Sequence, residues 1–342
     1  MKDLAIVILN FNGKEHLRQF LPSVIMHSEG ARIIVADNAS TDDSVAFLKD
    51  AYPSVEIIQL EENLGYSGGY DHVLKQISAE FFCLLNSDVE VTSGWLEPVL
   101  QIFAENESIA AVQPKILSYS QKNTFEYAGA GGGFIDQYGF PFCRGRIFES
   151  YEKDEGQYDD SREIFWASGA CLFIRSSDFL SSGGLDEDFF AHMEEIDLCW
   201  RLWGMGKKVY YQGASTVYHV GGGTLSKSNP KKTYLNFKNG LSLLYKNYTA
   251  DLLIRTMIIR VLFDFVAIWR FIFILQWRHA GSVIRAHADF WSQMSLNRKK
   301  RSESQSLMRI SETQVIYKGS VVLQYFVGRR RNFRQLKSIK GF

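Results

Sequence analysis

Leu4-Ala5-Ile6-Val7-Ile8-Leu9 runs directly into Asn10-Phe11-Asn12-Gly13, an unbroken apolar stretch that ends in small polar residues. A short continuous apolar run reads as a strand buried on both faces, and it is too short to serve as a signal peptide. Outward from it the signals alternate. Residues 15–27 carry a helical apolar rhythm, and residues 32–36 form a second strand that ends at Asp37-Asn38. Ser40-Thr41-Asp42-Asp43 has the spacing of a capping box and opens a helix over 44–51. Strands are expected at 55–60 and 81–85, with a helix at 70–77 between them. This order implies an α/β fold with a mainly parallel central sheet flanked by helices. Ligands of such sheets bind beyond the carboxyl ends of the strands, so the polar clusters there come first.

One cluster is Asn10, Asn12 and Asp37; a carboxylate at a strand end accepts from a base N–H or a ribose hydroxyl, and equally serves turns. Another, Asn63-Leu64-Gly65-Tyr66-Ser67-Gly68-Gly69, sets glycines ahead of a helix, where backbone N–H groups can approach a diphosphate. It neither matches GxGxxG nor follows the first strand, which speaks against a dinucleotide-dependent dehydrogenase. Asn86-Ser87-Asp88 places two polar side chains at i and i+2, pointing the same way, a pair able to hold Mg²⁺ or Mn²⁺. Glu194-Glu195 opens an acidic helix, and either residue can act as a general base. Asp197 and Arg201, four apart, make an ion pair on that helix. His219 ends a strand-like stretch and can complete a metal site.

These stretches occur in the order found in family 2 glycosyltransferases with the GT-A fold, which residues 1–245 resemble. The later matches are Gly184-Leu185-Asp186-Glu187-Asp188-Phe189-Phe190, Glu194-Glu195-Ile196-Asp197-Leu198-Cys199-Trp200-Arg201, His219-Val220-Gly221-Gly222 and Asn236-Phe237-Lys238-Asn239. The resemblance implies that Asp37 holds the nucleobase, with Asn10 and Asn12 near the nucleoside. Asn63, Gly65, Gly69, Asn86 and Ser87 would border the nucleotide sugar. Asp88 and His219 would ligate the metal, and Glu195, with Glu194 beside it, would supply the base. Trp166, Ser168 and Gly169 fall where the family builds its acceptor side. Two departures stand out: Asn86 replaces the usual first Asp of the metal motif, and Glu195 stands where many members have Asp. Within the family, the Asn86-Ser87-Asp88 variant and the run Gly129-Ala130-Gly131-Gly132-Gly133 look like bacterial rhamnosyltransferases and related surface-glycan enzymes. It implies inverting transfer from dTDP-rhamnose or a UDP-sugar to a glycan or polyprenyl-linked hydroxyl. The competing reading is an inactive glycan-binding or scaffold protein at the membrane, favoured only by Asn86.

Composition sets the surroundings. With 46% apolar residues among 342, the chain can bury a large core. Its four cysteines form no CxxC pair, which suits a reducing compartment and a cytoplasmic setting. The formal net charge of zero hides an asymmetry: residues 298–342 hold 12 Lys or Arg against Glu303 and Glu312, a net of +10. Such a tail attracts an anionic membrane surface, whereas its few aromatics speak against nucleic acid. Residues 252–277 are very apolar but interrupted by Arg255, Arg260, Asp264 and Arg270, so they fail as a membrane span. An interfacial helix and a buried helical pair are both open readings. The expectation is thus a catalytic domain over 1–245 and a helical, basic, membrane-associating region over 246–342. The protein would be peripheral on the inner face of the cytoplasmic membrane.

Overall fold

The computed structural model describes residues 3–221, 228–310 and 315–336. Gly222 and the tail residues Lys337 and Lys340 lie outside them. The first half follows the expected alternation: β1 (Leu4–Asn10), α1 (Lys14–His27), β2 (Arg32–Asp37), α2 (Ser44–Ala51), β3 (Glu56–Gln59), α3 (Gly65–Leu74) and β4 (Phe81–Asn86). Strands β1 to β4 are parallel in the order β4-β1-β2-β3, with Asn10 beside Asp37 and Leu9 beside Asn86. The polar strand ends therefore share one edge.

The period of two along these strands divides the core. Ala5, Val7, Ile34, Ala36, Phe82 and Leu84 face one hydrophobic cluster; Leu4, Ile6, Ile8, Val35, Phe81 and Cys83 face the other. Leu17, Leu21 and Val24 of α1 and Leu48 of α2 cover the second face.

Two local expectations need correction. No capping box forms at α2. Asp42 instead accepts from the backbone N–H and hydroxyl of Ser44 at 3.0 and 2.5 Å, and Ser40 turns toward the strand-end cluster. Helix α3 starts at Gly65 rather than Tyr70, since Gly65 adopts φ +72° and a Cβ there would lie 2.6 Å from the Phe190 ring.

Beyond β4 the sheet is mixed. The succession is β5 (Val89–Val91), α4 (Glu97–Glu105), β6 (Ile109–Ser118), β7 (Gly133–Asp136), β8 (Pro141–Cys143), β9 (Arg146–Ile147), β10 (Ser150–Tyr151), β11 (Ser161–Glu163), β12 (Cys171–Arg175), α5 (Ser176–Ser181), α6 (Glu194–Gly204) and β13 (Lys208–His219). Strand β12 enters antiparallel between β4 and β6, β13 runs parallel to β6, and β5 and β11 pair antiparallel with β13. This carries His219 back to the edge that holds Asn86 and Asp88.

Helices α7 (Pro230–Asn247), α8 (Ala250–Phe273), α9 (Trp277–Ser292) and α10 (Met294–Leu307) follow, then β14 (Ile316–Tyr317) and α11 (Val321–Phe326). Strand β14 joins β7 in a small five-stranded sheet, and Phe333 stacks among Phe134 and Phe142. Among the described residues no helix is long and apolar enough to cross a membrane.

Candidate active site

The carboxyl ends of β1 and β2 are locked together by side chains. Asn10 donates from Nδ2 to Asp37 Oδ1 and Ser40 Oγ at 3.0 and 3.1 Å, while Asp37 Oδ2 accepts from the Ser40 N–H. Asn12 takes a left-handed backbone, φ 52°, and its Oδ1 accepts from the N–H groups of Thr41 and Asp42. Asn10 Oδ1 is buried with no hydrogen-bond partner among the described residues, an acceptor left over at the strand end.

The glycine-bearing loop is fastened to this pair. Asn38 donates from Nδ2 to Asn63 Oδ1 and the Gly65 carbonyl, and accepts from Leu64 N–H at 3.0 Å. Gly69 lies so close to the Leu9 side chain and Asn38 that a Cβ would meet both within 3.2 Å. The Tyr66 and Ser67 N–H groups bind the Phe190 carbonyl, which couples the loop to the segment leading into α6.

Across the edge, three groups converge on the His219 ring. Asp88 Oδ1 lies 3.1 Å from Nε2, Asn86 Nδ2 lies 3.3 Å from the same nitrogen, and Glu126 Oε2 lies 3.2 Å from Nδ1. Burial alone would lower the imidazole pKa, but the two carboxylates outweigh it and raise it to about 10. In turn His219 holds Asp88 and Glu126 below the usual carboxylate range despite their burial. Ser87, half-buried, sits between Asn86 and Asp88 on the turn from β4 to β5.

Glu126 is a residue that sequence reasoning missed. It is 5% exposed, and its carboxylate also accepts from Ala128 N–H. Its one signal was a lone acid ahead of the Gly129–Gly133 stretch, and no spacing rule links it to His219, 93 positions on.

Glu194 and Glu195 occupy the first turn of α6. Each has one buried carboxylate oxygen without a partner among the described residues. Burial, reinforced by the charge of Glu195, pushes Glu194 well above the carboxylate range; burial raises Glu195 to about 7. The segment before them is strained: Phe190, His192 and Met193 all have positive φ, at 61°, 71° and 75°. Asn239 of α7 pins it by donating to the carbonyls of Phe189, Ala191 and His192 at 2.9, 3.0 and 2.8 Å.

Tyr66 joins the parts. It feels the charges of both Glu194 and Glu195, and its hydroxyl donates to the Gly169 carbonyl at 2.6 Å. Ser168 is held by Gln113 Oε1 through its N–H at 2.8 Å. So Gly169 meets the tyrosine that feels the acidic pair, and Ser168 precedes it in the chain. Trp166 does not join them: it is 5% exposed, its indole N–H donates to the Phe134 carbonyl at 2.9 Å, and its ring covers Gly133. It packs as a core residue rather than an acceptor platform. Asp197 pairs with Arg201 at 2.9 Å as the spacing implied, and also accepts from Lys246 and Asn247.

The profile of glycosyl transferase family 2 matches residues 5–179, half of the chain and every strand of the parallel edge just described. The chain belongs to glycosyl transferase family 2. It is therefore a glycosyltransferase of the hexosyltransferase type. Among curated family 2 relatives it is 27% identical over 236 residues to the N-acetylglucosaminyl-diphospho-decaprenol L-rhamnosyltransferase of Mycobacterium tuberculosis, covering 63% of this chain and 76% of the relative. Solved structures share the fold. That of S. aureus TarS 1-349 in complex with UDP-GlcNAc superimposes with a TM-score of 0.57 at 12% identity, covering 90% of this chain and 89% of that one. GalNAc-T7 with UDP, GalNAc and Mn²⁺ gives a TM-score of 0.56 at 16% identity over 74% of this chain, which spans about half the length of that protein.

Proposed function

We propose that this glycosyltransferase transfers a sugar, with inversion, from a nucleotide diphosphate donor to a hydroxyl of a glycan or polyprenyl-linked glycan. It would act at the inner face of the cytoplasmic membrane, in the building of bacterial surface polysaccharide. The carrying observation is the convergence of Asp88, Asn86 and Glu126 on His219, on the same strand edge that holds the Asn10–Asp37 pair and, through Tyr66, the Glu194-Glu195 pair. The relative's name supports a rhamnosyl donor, for which dTDP-rhamnose is taken first and a UDP-sugar second.

The donor set fits Mg²⁺ or Mn²⁺. Glu126 lies at Nδ1, and Nε2 of His219, which meets Asp88 and Asn86 here, would give up its proton to take a metal beside the Asp88 carboxylate. Among the described residues no three His, Cys, Asp or Glu side chains form a ready-made cage. The remaining ligands would come from the donor diphosphate and water, as hard divalent cations commonly arrange. Bound there, the ion would neutralise the departing nucleoside diphosphate.

The chain's own residues do the rest. Asp37, Asn10 and Asn12 hold the nucleoside, while Asn63, Gly65, Gly69, Asn86 and Ser87 border the diphosphate and sugar. Glu195 takes the proton of the acceptor hydroxyl. The oxygen attacks the anomeric carbon as the bond to the diphosphate breaks on the opposite face, and one displacement inverts that centre. Of the two acids Glu195 is assigned the base, because burial raises it only to about 7, where it ionises near neutral pH. Asp88→Ala should abolish transfer in protein that still folds, with a melting temperature lowered by the loss of the buried Asp88–His219 pair. Full transfer by that variant would overturn the metal assignment.

A further inference from the structure

Helix α8 is built inside out. Its charged pair Arg260 and Asp264 is buried at 4% and 1% exposure, closed by a 2.9 Å ion pair, by His287 of α9 and by the Gly139 carbonyl. Its outward face carries Ile258, Leu262, Phe265, Val266, Trp269 and Phe273, from 46% to 77% exposed. At helical spacing these side chains fall within about 120° of arc over about 22 Å of length. A helix that packs on a globular core for stability alone turns its apolar stripe inward. Here α7 and α9 take the polar side, and the apolar stripe has nothing over it among the described residues.

The stripe extends past the helix. Leu275 and Trp277 follow it at 73% and 59% exposure. Arg270 lies over the Phe326 ring of α11, where exposed Leu323 and Phe326, with Val327 just after the helix, continue the patch. Cations rim it: Arg255, Arg270, Arg278, Arg329 and Arg331 are exposed, and Asp251 is the one exposed acid of α8. Exposed apolar surface of this extent marks an interaction site. A second copy is a poor occupant, because a self-complementary contact would set the same arginines against one another. Tryptophans at the margins and arginines around an apolar strip match the boundary of an anionic bilayer.

We infer that α8, with the tip of α11, lies in the plane of an anionic lipid bilayer, its outward face in the acyl region and its arginines among the phosphates. The basic tail then adds attraction, but the hydrocarbon contact is the anchor. This goes beyond the proposed reaction and does not rest on it, since lipid binding is read without donor or acceptor.

The test is flotation of the full-length protein with vesicles of phosphatidylcholine and phosphatidylglycerol, at low and high salt. Three of the seven tryptophans, Trp269, Trp277 and Trp291, are exposed, so their fluorescence reports the contact in the unaltered protein. The expected results are flotation that survives high salt and quenching of that fluorescence by brominated acyl chains. Val266→Glu combined with Trp269→Glu should weaken partition about tenfold or more, with the melting temperature and transfer to a water-soluble acceptor unchanged. Release by salt without quenching would overturn the inference in favour of the tail alone. A dimer dispersed by the same two substitutions would overturn it in favour of a second copy.

Discussion

Glu195 holds one carboxylate oxygen unpartnered among the described residues, and burial raises its pKa to about 7. A raised value in the folded protein means that it keeps a proton the unfolded chain has already lost. Its contribution to stability is therefore greatest at acid pH and declines as pH rises from the ordinary carboxylate range through about 7. Catalysis runs the other way, since the base works only when ionised. The rate should climb through about pH 7 and level off above it. Glu195→Gln should lower kcat about a hundred- to ten-thousand-fold and flatten the decline in melting temperature with pH. Glu194→Gln should leave a measurable rate. If that variant instead abolishes transfer and Glu195→Gln does not, the roles of the two acids are exchanged. The family resemblance already favoured Glu195, but the residues by themselves do not separate two adjacent glutamates; burial at the first turn of α6 does.

At the scale of elements, β1 to β4 and their polar ends were legible because they obey short-range rules: an apolar run, a period of two, a polar residue at the strand end. The start of α3 was misplaced because Gly65 carries it, and only the packing against Phe190 shows why a glycine can open a helix there. Contacts across long separations stayed hidden. Glu126 on His219 and Asn239 on the Phe189–His192 carbonyls each join residues tens of positions apart, with no local signal to announce them. Asn239 ties α7 to the strained turn ahead of Glu194 through three carbonyls at once. Asn239→Ala should cost about 1–3 kcal/mol of stability, the penalty of leaving buried carbonyls unsatisfied. It should also lower kcat more than it changes donor affinity. A variant with reduced stability and unchanged kcat would make Asn239 structural only.

Across the whole molecule, the expected division at residue 245 falls inside α7. Lys246 bridges Asp186 and Asp197 at 2.7 and 2.9 Å, and Lys300 of α10 reaches Asp186 and Asp188. Burial pushes Asp197 up, but Lys246 and Arg201 overcome it and hold the pKa at about 2, so this network persists at all but strongly acid pH. Helices α7 and α10 are thus built onto the catalytic part, and two of the charges that interrupted the apolar pattern of residues 252–277, Arg260 and Asp264, mark the inner side of α8. Composition alone left that orientation open; the ion pair of Arg260 and Asp264 decides it. The central claim is a metal-assisted nucleotide-sugar site on the β1–β2–β4 edge. It is tested most directly by the melting temperature of the purified protein with UDP-, dTDP- and GDP-sugars, each with and without Mn²⁺. A ligand that binds only the folded state must raise it, by about 2.7 kcal/mol of stabilisation at a hundred times Kd. The account predicts a rise for one nucleotide, dTDP first, that requires Mn²⁺ and is lost in Asp88→Ala. Folded protein that shows no rise with any donor and metal would contradict it.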